Sequence, residues 1–319
     1  MRKVKNILLF VSFMSALISC DDVFEEDISD KVVEIIYPKS EIVISGNSVV
    51  FQWSQLSDAN EYRVQISKSS TNQILIDSLV EQHSLELPLD SGAYNWRVRG
   101  ENFAYQTAYS FPENFSVEAT NDLSKQSVFL NSPSDNFYTK NNTIILTWTA
   151  IAAATSYSVQ LEKMVMGNSS TILQVNDLTT TSYTIDDTLL SEDAQYIWGI
   201  LGVNETSQTP ITKRKIFLDT LEPSQATLLS PNNNTTGSST VDFSWQLGED
   251  SGEVQSSWNS TLELASDENF ATILKSYTTD GTEQQHIFAT SGTYYWRVVF
   301  TDLAGNIGAY STSRIVIVE

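Results

Sequence analysis

The 319-residue chain contains one cysteine and two histidines, and each shortage closes off chemistry. Cys20 lies near the N-terminus, so the rest of the chain can build no disulfide, no cysteine-ligated metal site and no thiol nucleophile. His83 and His286 have no second histidine or acid at metal-ligand spacing, so neither reads as a metal ligand or a catalytic base. Gly-x-Ser-x-Gly, His-Glu-x-x-His, Cys-x-x-Cys and phosphate-cradling glycine loops are missing, and with them the usual signatures of hydrolases and nucleotide enzymes. Basic residues are few, 18 against 39 acids, for a formal charge of −21. That balance repels phosphate backbones, so no nucleic-acid partner is expected. Amphipathic helical stripes are lacking after residue 20. The apolar run ILLFVSFMSALIS is 13 residues long, too short to cross a hydrocarbon layer of about 30 Å as a helix.

That run is preceded by the cationic MRKVK and followed at once by Cys20, the order of a processed export signal. Leu17-Ile18-Ser19-Cys20 resembles the lipobox of bacterial lipoproteins. The resemblance implies cleavage after residue 19, acylation of Cys20 with chains such as palmitate, and a membrane partner reached through that lipid. Removal of residues 1–19, which carry Arg2, Lys3 and Lys5 and no acid, takes the charge from −21 to −24. The next stretch, DDVFEEDISD, is dominated by acids, and residues 20–35 are expected to form a solvated tether. Acids directly after a lipidated cysteine also resemble the surface-export signal of some Gram-negative lipoproteins, implying a bacterial outer-membrane location facing outward.

What is abundant is repetition. YPKSEIVISGNSVVFQW, SPSDNFYTKNNTIILTW and SPNNNTTGSSTVDFSW each open on a proline turn (Pro38, Pro133, Pro231) and close on a tryptophan (Trp53, Trp148, Trp245). Alternating segments follow, EYRVQIS, SYSVQLE and STLELAS, and then AYNWRV, QYIWGI and TYYWRV with Trp96, Trp198 and Trp296. Six of the seven tryptophans thus occupy two repeated positions, which marks those positions as core. Period-two alternation broken by turn residues predicts antiparallel strands with one buried face, as in Tyr94, Trp96 and Val98 pointing in. Units of roughly 95 residues with about seven strands predict a two-sheet sandwich.

These units resemble fibronectin type III or related immunoglobulin-like domains without disulfides. The resemblance implies an all-β fold of three tandem sandwiches, at 36–119, 127–219 and 223–319. It places Tyr94, Tyr196 and Tyr294 at tyrosine corners, and likens Phe217 to Pro231 to a linker between tandem bacterial domains. The middle copy departs in having Gly199 where the others have Arg97 and Arg297.

The expected function is non-enzymatic binding or scaffolding at the cell surface, without cofactor or metal, toward a surface protein or a polysaccharide. The architecture is also similar to accessory glycan-binding lipoproteins of starch-utilisation-type uptake systems, which would bind sugar through loop aromatics. Trp258, the one tryptophan outside the repeated core positions, with Phe137 and Tyr138 expected in a loop of the second sandwich and Tyr105 in a loop of the first, are the candidates for that contact. Asp302-Leu303-Ala304-Gly305-Asn306 reads as a hairpin turn, with a cation site as the alternative. Asp77-Ser78-Leu79, Asp187-Thr188-Leu189 and Asp219-Thr220-Leu221 resemble acceptors of a bacterial O-glycosylation system, at Ser78, Thr188 and Thr220.

Overall fold

The computed structural model describes residues 25–247 and 252–319. The expected signal segment, Cys20 and residues 21–24 lie outside the described residues.

The first sheet pair is built from β1 (Ile35–Tyr37), β2 (Ile42–Ser45), β3 (Ser48–Trp53), β4 (Glu61–Lys68), β5 (Ile74–Val80), β6 (Ser84–Pro88), β7 (Gly92–Glu101) and β8 (Glu113–Glu118). The second uses β9 (Leu130–Ser132), β10 (Phe137–Thr139), β11 (Ile144–Trp148), β12 (Ser156–Val165), β13 (Asn168–Leu178), β14 (Ser182–Ile185), β15 (Ala194–Val203) and β16 (Thr212–Leu218). The third uses β17 (Thr227–Ser230), β18 (Thr235–Gly237), β19 (Thr240–Gln246), β20 (Trp258–Ala265), β21 (Ile273–Thr279), β22 (Glu283–Ile287), β23 (Gly292–Asp302) and β24 (Arg314–Val318). Each pair has a three-stranded sheet and a five-stranded one in the same order: β1-β3-β6 with β2-β8-β7-β4-β5, β9-β11-β14 with β10-β16-β15-β12-β13, and β17-β19-β22 with β18-β24-β23-β20-β21. The chain forms two compact units. One holds most residues up to Ser116, and the other runs from Val117 to Glu319 together with Ile44–Ser48 and Pro88–Ser91.

The alternation of the sequence becomes burial. On β7 Tyr94, Trp96 and Val98 are buried and Asn95, Arg97 and Arg99 are half-exposed on the other face. All six repeated tryptophans are buried, Trp198 and Trp296 at 0% exposure, and truncating such a ring costs about 3–5 kcal/mol. Trp96 Nε1 donates to the carbonyl of Pro38 at 2.9 Å, whereas the other five indole N–H groups are buried without a partner. The three repeated prolines are all preceded by cis peptide bonds. Tyr196 and Tyr294 close tyrosine corners, their hydroxyls donating to the carbonyls of Glu192 (3.0 Å) and Thr290 (2.8 Å).

The expected tether requires correction. Ile28, Val33 and Ile35 are buried, Ile28 at 0% exposure, and β1 starts inside the predicted tether. Asp27 Oδ1 accepts from the backbone N–H of Ser29 at 2.9 Å, Lys31 pairs with Asp58 at 2.9 Å, and Asn102 Nδ2 donates to the carbonyl of Glu26 at 2.9 Å. The same device recurs before the second pair. There Asp122 Oδ1 accepts from Ser124 N–H, Leu123 is buried at 0% exposure, and Asn204 Nδ2 donates to the carbonyl of Asn121 at 2.9 Å. Asp27-Ile28-Ser29 and Asp122-Leu123-Ser124 are therefore two copies of one plug. An apolar residue fills the end of each sandwich, held by an Asp–Ser turn and by an asparagine in the loop after β7 or β15. Leu123 belongs to the second core, although it precedes the predicted start at 127.

Candidate functional site

On the outer face of the five-stranded sheets, the three copies place different residues at one position. Strand pairing sets Gln65 opposite Arg97 in the first copy, Gln160 opposite Gly199 in the second and Glu263 opposite Arg297 in the third. In the third copy Arg297 is satisfied: Nη2 lies 2.7 Å from the Glu263 carboxylate and its guanidinium stacks 3.6 Å from the Tyr310 ring and 4.1 Å from Phe270. Tyr310 donates its hydroxyl to Glu263 at 3.1 Å, and burial, then that carboxylate, pushes its pKa up. In the second copy the position is filled from the side: a Cβ on Gly199 would stand 2.8 Å from the tip of Ile211 and 3.0 Å from Lys213, which reaches Glu162 at 2.6 Å.

The first copy differs from both. Arg97 Nε and Nη2 donate to Gln65 Oε1 at 3.0 and 2.7 Å, and the guanidinium lies 4.2 Å over the Tyr109 ring. No carboxylate among the described residues pairs with Arg97. Gln65 donates its other end to Asp77 at 2.8 Å, but Asp77 is already paired with Arg63 at 3.1 Å. Arg63 and Arg99 both bind Glu101 at 2.7 Å. Burial alone would raise the Glu101 pKa, but the two guanidinium groups hold it below the usual carboxylate range. Hydrogen bonding to Gln65, ahead of Arg63, likewise lowers that of Asp77. Burial pushes the Tyr109 hydroxyl up. Within this network guanidinium groups outnumber carboxylates three to two. Glu61, opposite Glu101, sits at the far end of β4.

Beside Arg97 is a cavity of about 250 Å³, lined by the polar side chains of Gln65, Ser67, Asn72, Asn95 and Arg97 and walled by Ile74 and Pro112. Asn95 accepts from Ser69 Oγ through Oδ1 at 2.9 Å, which leaves its Nδ2 available to a ligand. Phe111, next to Pro112 in the chain, is 94% exposed. Such a site can take an anionic group on Arg97, hydroxyls on the neutral amides, and an apolar ring face against the walls.

The residues singled out from the sequence are placed elsewhere. Phe137 and Tyr138 stand not in a loop but in β10, a short edge strand whose backbone pairs in parallel with β16 and which leaves Phe137 37% exposed. Tyr138 stacks on Phe217 at 4.6 Å. Trp258 starts β20, half-buried, its ring meeting Phe300 edge-on at 4.7 Å. Tyr105 does stand in a loop, 39% exposed. The four therefore sit on three different sandwiches. Asp302 Oδ1 and Oδ2 accept from the backbone and side-chain N–H groups of Asn306 at 2.8 and 2.9 Å, which makes the segment the expected turn. Thr188 and Thr220 are exposed and Ser78 is half-buried in β5. His83 is exposed, and His286 on β22 shares a hydrogen bond with the Tyr277 hydroxyl at 2.8 Å. Aromatic content did not point to Arg97 and its cavity. The signal was available in the aligned repeats, where Gln65 replaces Glu263.

No protein-family model and no curated protein matches the sequence. Among solved structures, the crystal structure of chicken CNTN1 FN1-FN3 domains is similar at 14% identity and a TM-score of 0.45, over 90% of this chain and 97% of that one. The selenomethionine-substituted chicken interferon gamma receptor alpha chain is similar at 14% identity and a TM-score of 0.27, over 59% of this chain and 99% of that one. With six sheets in three pairs of one repeated strand order, the chain has an all-β fold of three tandem two-sheet sandwiches.

Proposed function

We propose that the chain is a non-enzymatic lipoprotein of the bacterial outer membrane, anchored through an acylated Cys20, whose tandem sandwiches bind or scaffold at the cell surface. The observation that carries the binding part is the contrast between faces. The tryptophan cores repeat from copy to copy, while the outer-face position is an ion pair in the third copy, filled in the second and beside a cavity in the first. Sheets whose inner faces are fixed by packing can vary their outer faces freely, and that is where a sandwich domain diversifies its contacts. The anchor rests on the order of charges, apolar run and Leu17-Ile18-Ser19-Cys20.

A second reading, polysaccharide capture, is favoured by the cavity of sandwich one, whose amides, guanidinium and apolar walls suit a sugar ring better than a flat protein patch.

Two measurements on cells producing the chain test the main reading. Labelling with an alkynyl palmitate analogue is expected to mark the chain and to be lost in Cys20→Ala. Protease treatment of intact cells is expected to remove it. An unlabelled chain, or one protected until the outer membrane is opened, would refute the anchor or the surface location respectively. Cross-linking and pull-down from such cells then tests binding: recovery of neither a protein nor a polysaccharide would refute that part.

A further inference from the structure

Arg97 is set apart from the other arginines of the described chain. Arg63, Arg99 and Arg297 are paired with carboxylates, and Arg214 and Arg314 donate to backbone carbonyls around the Pro133 and Pro231 turns. Arg97 alone has only a neutral side-chain amide as its acceptor. In a chain carrying 39 acids, the residue opposite it is a glutamine where the third copy has a glutamate. The exchange removes a single negative charge and leaves a half-buried guanidinium to be completed by something else.

We propose that the cavity beside Arg97 binds an acidic monosaccharide, a sugar ring bearing one carboxylate, presented at an end or branch of a glycan. The proposal rests on the second reading above and deepens it. Gln65 Oε1 already holds on Arg97 Nε and Nη2 the position that the Glu263 carboxylate holds on Arg297. The ligand carboxylate therefore supplies the missing charge from the cavity side, accepting from the remaining N–H groups of the Arg97 guanidinium and from Asn95 Nδ2. Ser67 and Asn72 face the same space and serve ring hydroxyls, and Ile74 and Pro112 offer apolar surface to ring C–H groups. At about 250 Å³ the cavity lies below the range of about 300–1,000 Å³ that holds drug-sized ligands, so it suits one ring rather than several. The net charge of −21 opposes a densely charged polyanion, which selects an isolated carboxylate instead.

The test is titration of the full chain in detergent with methyl glucuronoside and, separately, methyl glucoside and acetate, followed by calorimetry or ligand-observed NMR. The glucuronoside is expected to bind, and the glucoside and acetate to bind at least about tenfold more weakly, the scale of one lost charge-assisted hydrogen bond. Arg97→Lys keeps the charge but loses the fork and is expected to weaken binding by a similar factor. Gln65→Glu supplies the internal carboxylate of the third copy and is expected to abolish binding. The far-ultraviolet circular dichroism of each variant shows that it has folded. Equal binding of glucuronoside and glucoside, no binding of the glucuronoside, acetate binding as tightly, or unchanged affinity in folded Gln65→Glu would each overturn the proposal. If the glucuronoside fails but pull-down still recovers a polysaccharide, polysaccharide capture stands and only this site is lost. If pull-down recovers only a protein, the main binding reading stands and polysaccharide capture falls.

Discussion

Ile28 offers a clean test of where the folded chain begins. As part of a solvated tether it would contribute nothing, whereas its 0% exposure makes it a plug in the end of sandwich one. Ile28→Ala removes three carbons, which at about 0.8 kcal/mol each gives roughly 2.4 kcal/mol of lost transfer energy. Adding the unfilled cavity brings the expected loss to about 2–5 kcal/mol. Val32, three residues before β1 and 60% exposed, is the control: Val32→Ala should stay within about 0.5 kcal/mol. A chain of several sandwiches does not melt in one two-state step, so hydrogen exchange of peptides from β3 and β7 is the suitable assay. A loss of about 2.8 kcal/mol appears there as a roughly hundredfold faster exchange, since about 1.4 kcal/mol is a factor of ten. Unchanged exchange in β3 and β7 of Ile28→Ala, with acceleration confined to residues 25–34, would show that the segment docks and undocks on its own and that sandwich one is complete without it.

Two further expectations concern single groups. Asn204→Ala removes the amide that donates to the carbonyls of Asn121 and Ala153 and whose Oδ1 accepts from the N–H of Thr206 and Ser207. It should cost about 1–3 kcal/mol and speed exchange of residues 119–127 and 204–208 together, and fast exchange in the loop alone would count against the plug. His286 is held neutral first by burial and then by Lys275, so its folded pKa lies below the usual 6.5. The unfolded chain therefore takes up a proton that the folded one refuses. Sandwich three should be at full stability above about pH 6.5 and lose part of it as pH falls from there toward the lowered folded value. His286→Gln should flatten that slope in a pH series of thermal unfolding, and an unchanged slope would refute the assignment.

The architecture was legible because both of its signals are local and repeated. The prolines at 38, 133 and 231 and the paired tryptophans mark turn and core, and strict alternation between them leaves only one face to bury. The entry plug was illegible for an electrostatic reason. Acids crowd around Ile28 and read as a solvated run, yet Asp27 stays at the surface hydrogen-bonded to Ser29 and Lys31 offsets Asp58, so one isoleucine can be buried among exposed charges. Of the four aromatic candidates, Tyr105 and Phe137 are exposed, whereas Trp258 and Tyr138 are packed against neighbours, because polar flanks do not fix exposure. Trp258 is flanked by serine and asparagine but sits at a strand start, where every second side chain turns to the core and meets Phe300. Tyr138 is likewise drawn onto Phe217 by the pairing of β10 with β16.

The outer-face site shows what a repeated fold permits. On β4 and β7 of copy one, Ile66 and Trp96 face each other across the core side and cannot change without a cavity or a clash. One residue away, Gln65 and Arg97 face solvent, and there a change costs only local electrostatics. The third copy closes the position with an ion pair braced by two rings, and the second removes the arginine and covers the gap with Ile211. The ion pair would have been available to copy one by a single substitution, Gln65→Glu. Copy one instead keeps the arginine and the stacking tyrosine while omitting the carboxylate, at a place where a cavity with unengaged amide and hydroxyl groups opens beside them. Arg97 is hydrogen-bonded and stacked, but only by neutral groups, so its charge is offset by no carboxylate of its own copy. A charge left without its counter-charge in one copy, and paired or removed in the other two, fits the proposed binding position, where a ligand rather than the fold supplies the missing charge.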